Sequence, residues 1–420
     1  GPNPQSPIPN PQSPIPQIIV KDRIYYYKNK LNKITLKMKV SIKNNLFLHI
    51  FLLLISYSVI SCSFQISLFN KINSKYKESN IIISPLSIYQ AISLVTNGAN
   101  GSTQKELLDL LDEKEMEEIN LINTKILSQI KEDSSLEIAN AIMSKVSPLN
   151  SFTQTAKEIF NSEILPLKNV NQVNKWCEKK THGKIPKIID QLDPLTYMII
   201  LNAVYFKGGW LYQFEEGLTK KEIFYNLNKN EKKVDMMQIT KKFNYFEDSN
   251  LQAIELRFNK EAITAIIILP NKDLNINEFI EILDKDNDYI YSIINNMKSN
   301  KVNLRLPKFE LNYSKSLKEV LRTMGVNLPF EKNADFSKIR TQNDIYIDEI
   351  IHKTYLKVNE QGTEAAAVTA VIMALNAAFN PEPEKIYNMN VNRPFLFILR
   401  NDRLPKNYDI VFISKIEEIN

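Results

Sequence analysis

The sequence predicts one α+β domain with large β-sheets, beginning near residue 64. Three observations lead to this prediction. Segments with helical periodicity are interspersed with nearly continuous apolar runs, no linker or change of composition separates them, and 44% of the 420 residues are hydrophobic. A chain of this length and composition can bury a large core.

The first 37 residues differ from this domain. They contain the repeat Asn-Pro-Gln-Ser-Pro-Ile-Pro twice, within residues 3–16. Such proline density favours extended backbone without partners and cannot build a core. Residues 1–37 are therefore expected to be a disordered N-terminal extension that is rich in proline and basic residues.

Residues 38–63 have the pattern of a secretory signal peptide. A basic start at Lys39 and Lys43 is followed by an apolar centre from Leu46 to Ile60 and then by small residues. The apolar centre is short for a membrane span of about 20 residues. We therefore expect a secreted, extracellular protein whose mature chain starts near Phe64. A signal anchor is the alternative if the Pro-rich extension precedes this segment.

Three helix signals follow in the first part of the domain. Ser84 is placed to cap a helix with Pro85 at its first position, and Gly98 is placed to end it. Thr103-Gln-Lys-Glu106 has the spacing of a capping box, which predicts the start of a second helix. Val173–Cys177 is predicted to be amphipathic and helical.

Strands are predicted where apolar residues are continuous or alternate. Met198–Phe206 is almost entirely apolar, as expected of a central strand that is covered on both faces. Tyr346–Val358 alternates, so His352 and Thr354 share one face while Lys353 lies on the other. Further buried strands are predicted at Thr264–Leu269, Phe395–Leu399 and Ile410–Ile416.

The charge and the cysteines exclude two classes of protein. Residues 1–63 hold eight Lys/Arg and one Asp, so the formal charge of +6 leaves −1 for the remaining 357 residues. A nucleic-acid-binding body needs a concentrated basic face, so we expect no nucleic-acid partner. Two cysteines, Cys62 and Cys177, cannot form a disulfide framework, and Cys177 is expected to be a small buried residue.

The sequence contains no constellation of residues typical of an enzyme. Its three histidines, His49, His182 and His352, have no cysteine or second histidine at metal-ligand spacing. The chain has no G-x-S-x-G elbow, Gly-rich phosphate loop or HExxH motif. We therefore expect no catalytic residues, no metal site and no cofactor, with His182 at the surface and His352 inside the domain.

The segment after Val358 has the pattern of a strand that is not yet part of a sheet. Its start is polar, and Gly362 permits a hinge because it has no Cβ. One face of the extended segment is small and then apolar, and it comprises Thr363, Ala365, Ala367, Thr369, Val371 and Met373. The other face comprises Glu364, Ala366, Val368, Ala370 and Ile372. A face of small residues can enter between two strands without a clash. A surface helix is the alternative, because alanine favours helices.

This segment resembles the reactive-loop hinge of the serpins, and further blocks resemble serpin motifs in the order of that family. They are Asn80–Ile88, Ile200–Trp210, Leu306–Leu311, Ala334–Ser337, His352–Lys353 and Arg393–Leu396. The resemblance covers residues 64–420. It implies one domain with three β-sheets, surrounding helices and an exposed reactive-centre loop at residues 360–390.

The resemblance also implies a monomeric inhibitor that acts as a suicide substrate. A serine protease would cleave the bait in the loop and remain bound as a covalent acyl-enzyme. The hinge, from Glu360 to Thr369, would then insert between Met198–Phe206 and Tyr346–Val358 as a new strand.

Two groups of site residues are implied as well. The first is a hydrogen-bonded cluster beneath the opening sheet, in which each buried polar group needs a partner, made of Ser84, Ser87, Asn202 and His352. The second lies where insertion begins and is made of Trp210, Lys308 and Glu360. An ion pair between Glu360 and Lys308 is expected to stabilise by about 0–1 kcal/mol if it is exposed.

The bait is predicted from its usual spacing to Glu360, which places the reactive bond at Asn376–Ala377. The loop up to Pro394 is longer than usual, so Leu375, Ala378 and Phe379 compete. No Lys or Arg occurs between Glu360 and Lys385, which argues against trypsin-like targets. Elastase-like or chymotrypsin-like proteases are expected, and an asparagine-specific cysteine protease is the alternative.

The remaining expectations concern modification and alternative functions. Two sequons predict glycosylation at Asn100 and Asn312 in a secreted protein. The acid-rich segment 106–131 indicates no heparin site. A non-inhibitory carrier or chaperone is the first alternative function, and the small inward hinge residues argue against it. A membrane-anchored surface interaction protein is the second, and the position of the mature N-terminus would test it.

Overall fold

The structure is a computed structural model that describes residues 64–132, 135–259, 262–286, 288–363 and 385–419. The described domain belongs to one unit, Ser61–Asn420. The Pro-rich extension at residues 1–37 and the signal segment at residues 38–63 lie outside the described residues, and so does most of the loop, residues 364–384.

Nine α-helices are formed within these described ranges. They are α1 (Phe64–Tyr76), α2 (Pro85–Gly98), α3 (Gly101–Leu111), α4 (Met116–Glu132), α5 (Asn150–Phe160), α6 (Val170–Lys180), α7 (Ile276–Lys285), α8 (Tyr289–Asn296) and α9 (Lys318–Thr323). Helix α2 begins and ends as predicted: the Ser84 side chain accepts a hydrogen bond from Ser87 N, Pro85 is the first residue, and Gly98 is the last. Among the described residues, none of these helices is both long and apolar enough to span a membrane.

The predicted capping box is wrong. Helix α3 begins at Gly101, before Thr103. The Thr103 hydroxyl instead accepts a hydrogen bond from Asp335 N at 2.9 Å. The Glu106 carboxylate accepts from Asn327 N at 2.7 Å. Both side chains bind a distant part of the chain. The Thr-x-x-Glu spacing therefore reflects a tertiary contact and not a helix cap.

Sixteen strands are described. They are β1 (Asn80–Ile83), β2 (Leu136–Ser144), β3 (Glu163–Pro166), β4 (Met198–Phe206), β5 (Gly208–Gly209), β6 (Lys220–Tyr225), β7 (Glu231–Glu247), β8 (Leu251–Arg257), β9 (Ile263–Pro270), β10 (Lys298–Pro307), β11 (Phe309–Ser316), β12 (Glu349–Val358), β13 (Gly362–Thr363), β14 (Ile386–Asn390), β15 (Phe395–Asn401) and β16 (Ile410–Ile416). The predicted strands at 198–206 and 410–416 have the bounds of β4 and β16.

The strands form three sheets, as the resemblance implies. The main sheet has five strands in the order β11-β12-β4-β2-β3. A nine-stranded sheet has the order β1-β16-β15-β9-β8-β7-β10-β14, with β6 beside β7. The third sheet is the short pair β13-β5. Helices and β-strands are interspersed along the chain, so the fold is of the α+β class.

The position of β4 between two cores explains why its sequence is almost entirely apolar. Met198, Ile200 and Val204 belong to the larger core, whereas Ile199 and Leu201 belong to a second core. Helix α2 packs against the first face of β4, and α6 packs on the other. Alternate residues of the strand therefore fill two different cores, as expected of a strand that is covered on both sides.

The second core contains Cys177, which is fully buried as predicted. Burial raises the pKa of the Cys177 thiol to about 12. The thiol is therefore protonated near neutral pH and behaves as a small core residue.

Strand β12 starts three residues later than predicted, at Glu349. The Asp348 carboxylate accepts hydrogen bonds from Tyr197 N at 2.8 Å and from Met198 N at 3.0 Å. The start of the pairing between β12 and β4 is thus set by a side chain, which a periodic pattern does not reveal.

Candidate functional site

The site is built around the junction of β12 and β4, which we call the seam. These two strands are parallel, and seven residue pairs run from Glu349↔Ile199 to Tyr355↔Tyr205. The seam is therefore closed in this structure, with no strand between β12 and β4. This is the junction at which the sequence predicted insertion.

The chain reverses direction just beyond the end of β12. Asn359 Oδ1 accepts hydrogen bonds from Gln361 N and Gly362 N, both at 3.1 Å, and this Asx turn leads into β13. Gly362 has a φ of +138°, and a Cβ there would lie 2.2 Å from Gly208 O. A glycine is required at this position for both reasons. Asn359 was not identified from the sequence, although Asn followed by Gly three residues later is a turn signal.

Thr363 is the last described residue before the bait, and it is fully buried. Its hydroxyl accepts a hydrogen bond from Gly208 N at 2.9 Å and donates to Gly208 O at 3.2 Å. The start of the hinge is therefore docked on β5. The hinge residues Glu364, Ala365, Ala366, Ala367, Val368 and Thr369 lie outside the described residues, as do the bait residues Leu375, Asn376, Ala377, Ala378 and Phe379.

Trp210, Lys308 and Glu360 come together at the end of the seam, and we call them the hinge-end cluster. Trp210 Nε1 donates a hydrogen bond to Asn359 O at 3.0 Å, and its ring stacks on Phe258 with centroids 4.4 Å apart. Lys308 Nζ lies 2.9 Å from Glu360 Oε2. The indole thus holds the turn, while the ion pair holds Glu360, the first residue of the predicted hinge.

The ion pair is partly buried. The side chain of Glu360 is 7% exposed, whereas that of Lys308 is 38% exposed. Thr219 Oγ1 donates a second hydrogen bond to the Glu360 carboxylate at 2.8 Å. Burial by itself would raise the pKa of Glu360, but the hydrogen bonds from Lys308 and Thr219 hold that pKa below its usual value. Thr219 comes from a distant segment, and no sequence motif indicated it.

A second group of polar residues, the seam cluster, lies beneath the seam. Asn202 on β4 and His352 on β12 are register partners, and both are fully buried. Asn202 Oδ1 accepts hydrogen bonds from Ser87 Oγ at 2.8 Å and from His352 Nδ1. Asn202 Nδ2 donates to Ser87 O at 3.1 Å and to Asn140 Oδ1 at 2.6 Å. One amide therefore connects three strands of the main sheet to α2.

The four residues that the resemblance places beneath the sheet, Ser84, Ser87, Asn202 and His352, all belong to this cluster. The structure adds a fifth, Asn140 on β2. Ser84 contributes its backbone N–H, which donates to His352 Nε2 at 3.1 Å. Its side chain is used to cap α2. Nε2 is thus an acceptor, which places the imidazole proton on Nδ1, where it is donated to Asn202. Burial lowers the pKa of His352 to about 3, so the ring is neutral near pH 7.

Protonation of His352 would break the hydrogen bond from Ser84, and this predicts a pH dependence. The unfolded chain binds this proton near pH 6.5, whereas the folded chain does so only near pH 3. The free energy of unfolding therefore falls as pH decreases below about 6.5, by roughly 1.4 kcal/mol between pH 7.5 and 5.5 from this group. Denaturant unfolding of His352→Gln at both pH values should lack this component. His182→Gln is the matched control and should retain it. An equal pH dependence in His352→Gln and the parent would contradict the assignment.

Other residues singled out from the sequence lie apart from the seam. His182 is at the surface as predicted, with its side chain 54% exposed and Nε2 2.9 Å from Glu137 Oε1. Asn100 precedes α3 and is exposed, and Asn312 is exposed on the edge strand β11. No group of His, Cys, Asp and Glu side chains that could hold a metal ion occurs in the described part of the chain.

Comparison with known protein families finds one match across the domain. A family model described as "Serpin (serine protease inhibitor)" matches residues 60–418. Intracellular coagulation inhibitor 2 of Tachypleus tridentatus is 34% identical over 359 residues, which cover 81% of this chain and 86% of that protein. Leukocyte elastase inhibitor of Xenopus tropicalis is 31% identical over 360 residues, which cover 81% of this chain and 94% of that protein.

Solved structures also match the fold. The thermophilic serpin tengpin in its native state has a TM-score of 0.75 and 29% sequence identity, with coverage of 86% of this chain and 93% of that chain. Thyroxine-binding globulin in complex with thyroxine has a TM-score of 0.75 and 24% identity, over 87% of this chain and 100% of that chain. The second similarity shows the fold alone.

Proposed function

This chain belongs to the serpin family, and from that premise we propose that it is an inhibitor that traps a serine protease as a covalent acyl-enzyme. The observation that carries the proposal is the closed seam, which has the hinge docked at its end and a fully hydrogen-bonded polar cluster beneath it. A sheet that opens to accept one strand needs such a junction, a segment positioned at its end and polar side chains beneath it.

The geometry at the turn supports insertion as the driving step. Strand β12 runs toward Val358, and the chain reverses over Asn359–Gly362. A segment that continues from Thr363 into the seam would therefore run antiparallel to both β12 and β4. It would gain a hydrogen-bond ladder on each side and cover for its apolar face. Loop insertion in serpins is itself a known example of such strand addition.

Trapping follows from the order of the chemical steps. The protease serine attacks the carbonyl of the bait, the peptide bond breaks, and the amine of the following residue leaves with the proton supplied by the protease histidine. The new C-terminal acyl group stays esterified to the serine. If the hinge inserts before water reaches this ester, the protease is carried along and its active site is distorted. If water arrives first, the chain is merely a substrate.

The bait residues favour a target whose primary pocket is uncharged. No Lys or Arg lies between Glu360 and Lys385, and the spacing to Glu360 favours cleavage at Asn376–Ala377. Elastase-like and chymotrypsin-like proteases accept small or apolar residues at this position, so the competing residues Leu375, Ala378 and Phe379 suit them. The relative named leukocyte elastase inhibitor is consistent with this class. Cleavage after Asn376 by an asparagine-specific cysteine protease is the alternative.

The test is to incubate the purified protein with elastase, chymotrypsin, trypsin and an asparaginyl endopeptidase. We expect a covalent complex that survives a denaturing gel with elastase or chymotrypsin, and none with trypsin. Mass spectrometry of the released C-terminal peptide identifies its first residue, which is Ala377 for cleavage after Asn376 and Asn376 for cleavage after Leu375. Cleavage without a complex across a wider protease panel would contradict the proposal and favour a non-inhibitory carrier or chaperone.

We propose further that the protein is secreted and that Asn100 and Asn312 carry glycans. Both asparagines are exposed, as glycan attachment requires. Expression in eukaryotic cells should release a protein whose N-terminus lies near Phe64 and whose mass falls on treatment with an N-glycosidase. Retention of residues 1–63 on a membrane fraction would contradict secretion.

A further inference from the structure

Two asparagines of the chain are followed by glycine, and they lie close together in the sequence. They form the pairs Asn97-Gly98 and Asn100-Gly101. Such a pair can react without an enzyme, because the backbone nitrogen of the glycine can attack the side-chain amide of the asparagine and no Cβ on the glycine obstructs it. The dipeptides are identical in sequence. The structure separates them, because one lies at the end of α2 and the other at the start of α3.

Asn97-Gly98 is protected by its contacts at the end of α2. Asn97 Nδ2 donates hydrogen bonds to Ser93 O and to Asn120 Oδ1, both at 2.9 Å, and Asn97 Oδ1 accepts one from Asn120 Nδ2 at 3.1 Å. Gly98 is the last residue of the helix, so its N–H takes part in the helical hydrogen-bond pattern. Gly98 is also buried, and a Cβ there would lie 2.3 Å from Ile339 Cγ1. Both reacting groups of this pair are therefore held in place.

Asn100-Gly101 is exposed, and so is Ser102 after it. Asn100 precedes α3, but within the described ranges its side chain makes no capping hydrogen bond. Asn100 Nδ2 lies 3.5 Å from Ser337 Oγ, which is the length of a weak hydrogen bond. Gly101 is the first residue of α3, and the first N–H groups of a helix have no partner within it. The side-chain amide of Asn100 and the nitrogen of Gly101 are therefore both accessible.

The surroundings of Gly101 leave room for the reaction. Its φ of +51° lies in the left-handed region, which glycine adopts without strain. Among the described residues, the nearest atom from another part of the chain to the place of a Cβ on Gly101 is Asp335 Oδ2, at 3.8 Å. The Asn100 side chain can thus fold back onto Gly101 N, and water can reach the product.

We propose that Asn100 is a site of spontaneous deamidation in chains that carry no glycan there. The nitrogen of Gly101 attacks Cγ of Asn100 and forms an N–Cγ bond, and the side-chain NH2 leaves as ammonia with the proton of the Gly101 N–H. Water then opens the succinimide ring. Cleavage of the N–Cγ bond gives aspartate, whereas cleavage between the nitrogen and the backbone carbonyl carbon gives isoaspartate. Either product has OH in place of NH2, a gain of one dalton.

Deamidation and glycosylation exclude each other at this position. A glycan would occupy the Nδ2 atom that leaves as ammonia, so its attachment would protect Asn100. Deamidation destroys the sequon and adds one negative charge beside Asp335. Isoaspartate also adds a methylene group to the backbone between α2 and α3, at a corner where Asn100 N donates a hydrogen bond to Asp335 O at 2.9 Å.

The experiment follows the full-length protein, produced in bacteria without glycans, during incubation over several days at physiological temperature. Peptide mapping by mass spectrometry, with fragment ions that locate the added mass, measures the two pairs separately. We expect a growing fraction with one added dalton at Asn100, labelled by an isoaspartyl methyltransferase, and no change at Asn97. In protein kept unfolded in guanidinium chloride, both asparagines should react, because the contacts of Asn97 are lost.

Two variants serve as controls. Asn100→Gln should lack the acidic isoform that ion-exchange chromatography separates from the incubated parent. Ser102→Ala removes the sequon and keeps the Asn-Gly pair. When both proteins are produced in eukaryotic cells, Ser102→Ala should be deamidated at Asn100, whereas the glycan should protect the parent. Ser102 is exposed on α3 and alanine favours helices, so this variant is expected to fold.

The outcomes separate this inference from the proposed function. An unmodified Asn100 in the folded protein without glycans would overturn the inference. Equal modification of Asn97 and Asn100 in the folded protein would also overturn it, because the structure would then offer no protection. Deamidation of both Ser102→Ala and the parent from eukaryotic cells would support the inference and refute the glycan at Asn100. Protease trapping does not enter these measurements, so its failure would leave the deamidation site unaffected.

Discussion

Replacing Thr363 with arginine is expected to convert the inhibitor into a substrate. Thr363 is fully buried, and its hydroxyl is hydrogen-bonded to both the N–H and the C=O of Gly208. Thr363 also belongs to the face that would enter the sheet, where a guanidinium has no room and no partner charge. Burying such a charge costs several kcal/mol, which slows insertion relative to hydrolysis of the acyl-enzyme.

The measurement is the ratio of covalent complex to cleaved chain at completion, and we expect it to fall at least about tenfold, which corresponds to about 1.4 kcal/mol in the competing barriers. Val368→Arg is the control, because it introduces the same residue on the face that the alternation places outward. Unchanged trapping by Thr363→Arg would contradict insertion of this segment. An equal loss in both variants would point to a general effect of charge in the loop.

Replacing Asn202 with alanine is expected to loosen the seam. Asn202 is fully buried and contacts Ser87, Asn140 and His352. Removing the amide deprives each of these three partners of the hydrogen bond that Asn202 supplies, and each buried group left unpaired costs about 1–3 kcal/mol. The expected loss is about 3 kcal/mol or more in the free energy of unfolding, with Tm lower by several degrees.

The seam-specific part of this prediction concerns opening of the sheet. A synthetic peptide with the sequence of residues 363–375 should enter the main sheet of Asn202→Ala faster than that of the parent, detected by native gel mobility and loss of inhibition. Asn97→Ala is the matched control, since Asn97 and Asn120 exchange two side-chain hydrogen bonds away from the seam. Faster peptide uptake in both variants would mean that general stability, and not the seam cluster, controls opening.

Much of the fold was predictable because its signals are local. The apolar run at 198–206 and the capped start of α2 at Ser84 and Pro85 depend on neighbours in the sequence, and both were found with their observed bounds. The capping box at Thr103 failed for the opposite reason, since its two side chains bind residues more than 200 positions away. A local sequence pattern cannot distinguish a helix cap from a tertiary contact. The same side-chain oxygen atoms accept a hydrogen bond from a nearby N–H or from a distant one.

The sequence by itself determined the order of elements and the membership of the family, and it predicted the segment that serves as a hinge, because periodicity, capping residues and motif order are properties of the linear chain. Only the tertiary structure decided that the seam is closed, that Thr219 and Asn140 complete the two polar clusters, and that Glu360 is buried. It also showed that Lys220, Lys242 and Lys301, which are far apart in the sequence, lie on neighbouring strands. Burial, hydrogen bonding and electrostatic fields depend on distance in space, and pairing of distant strands sets that distance.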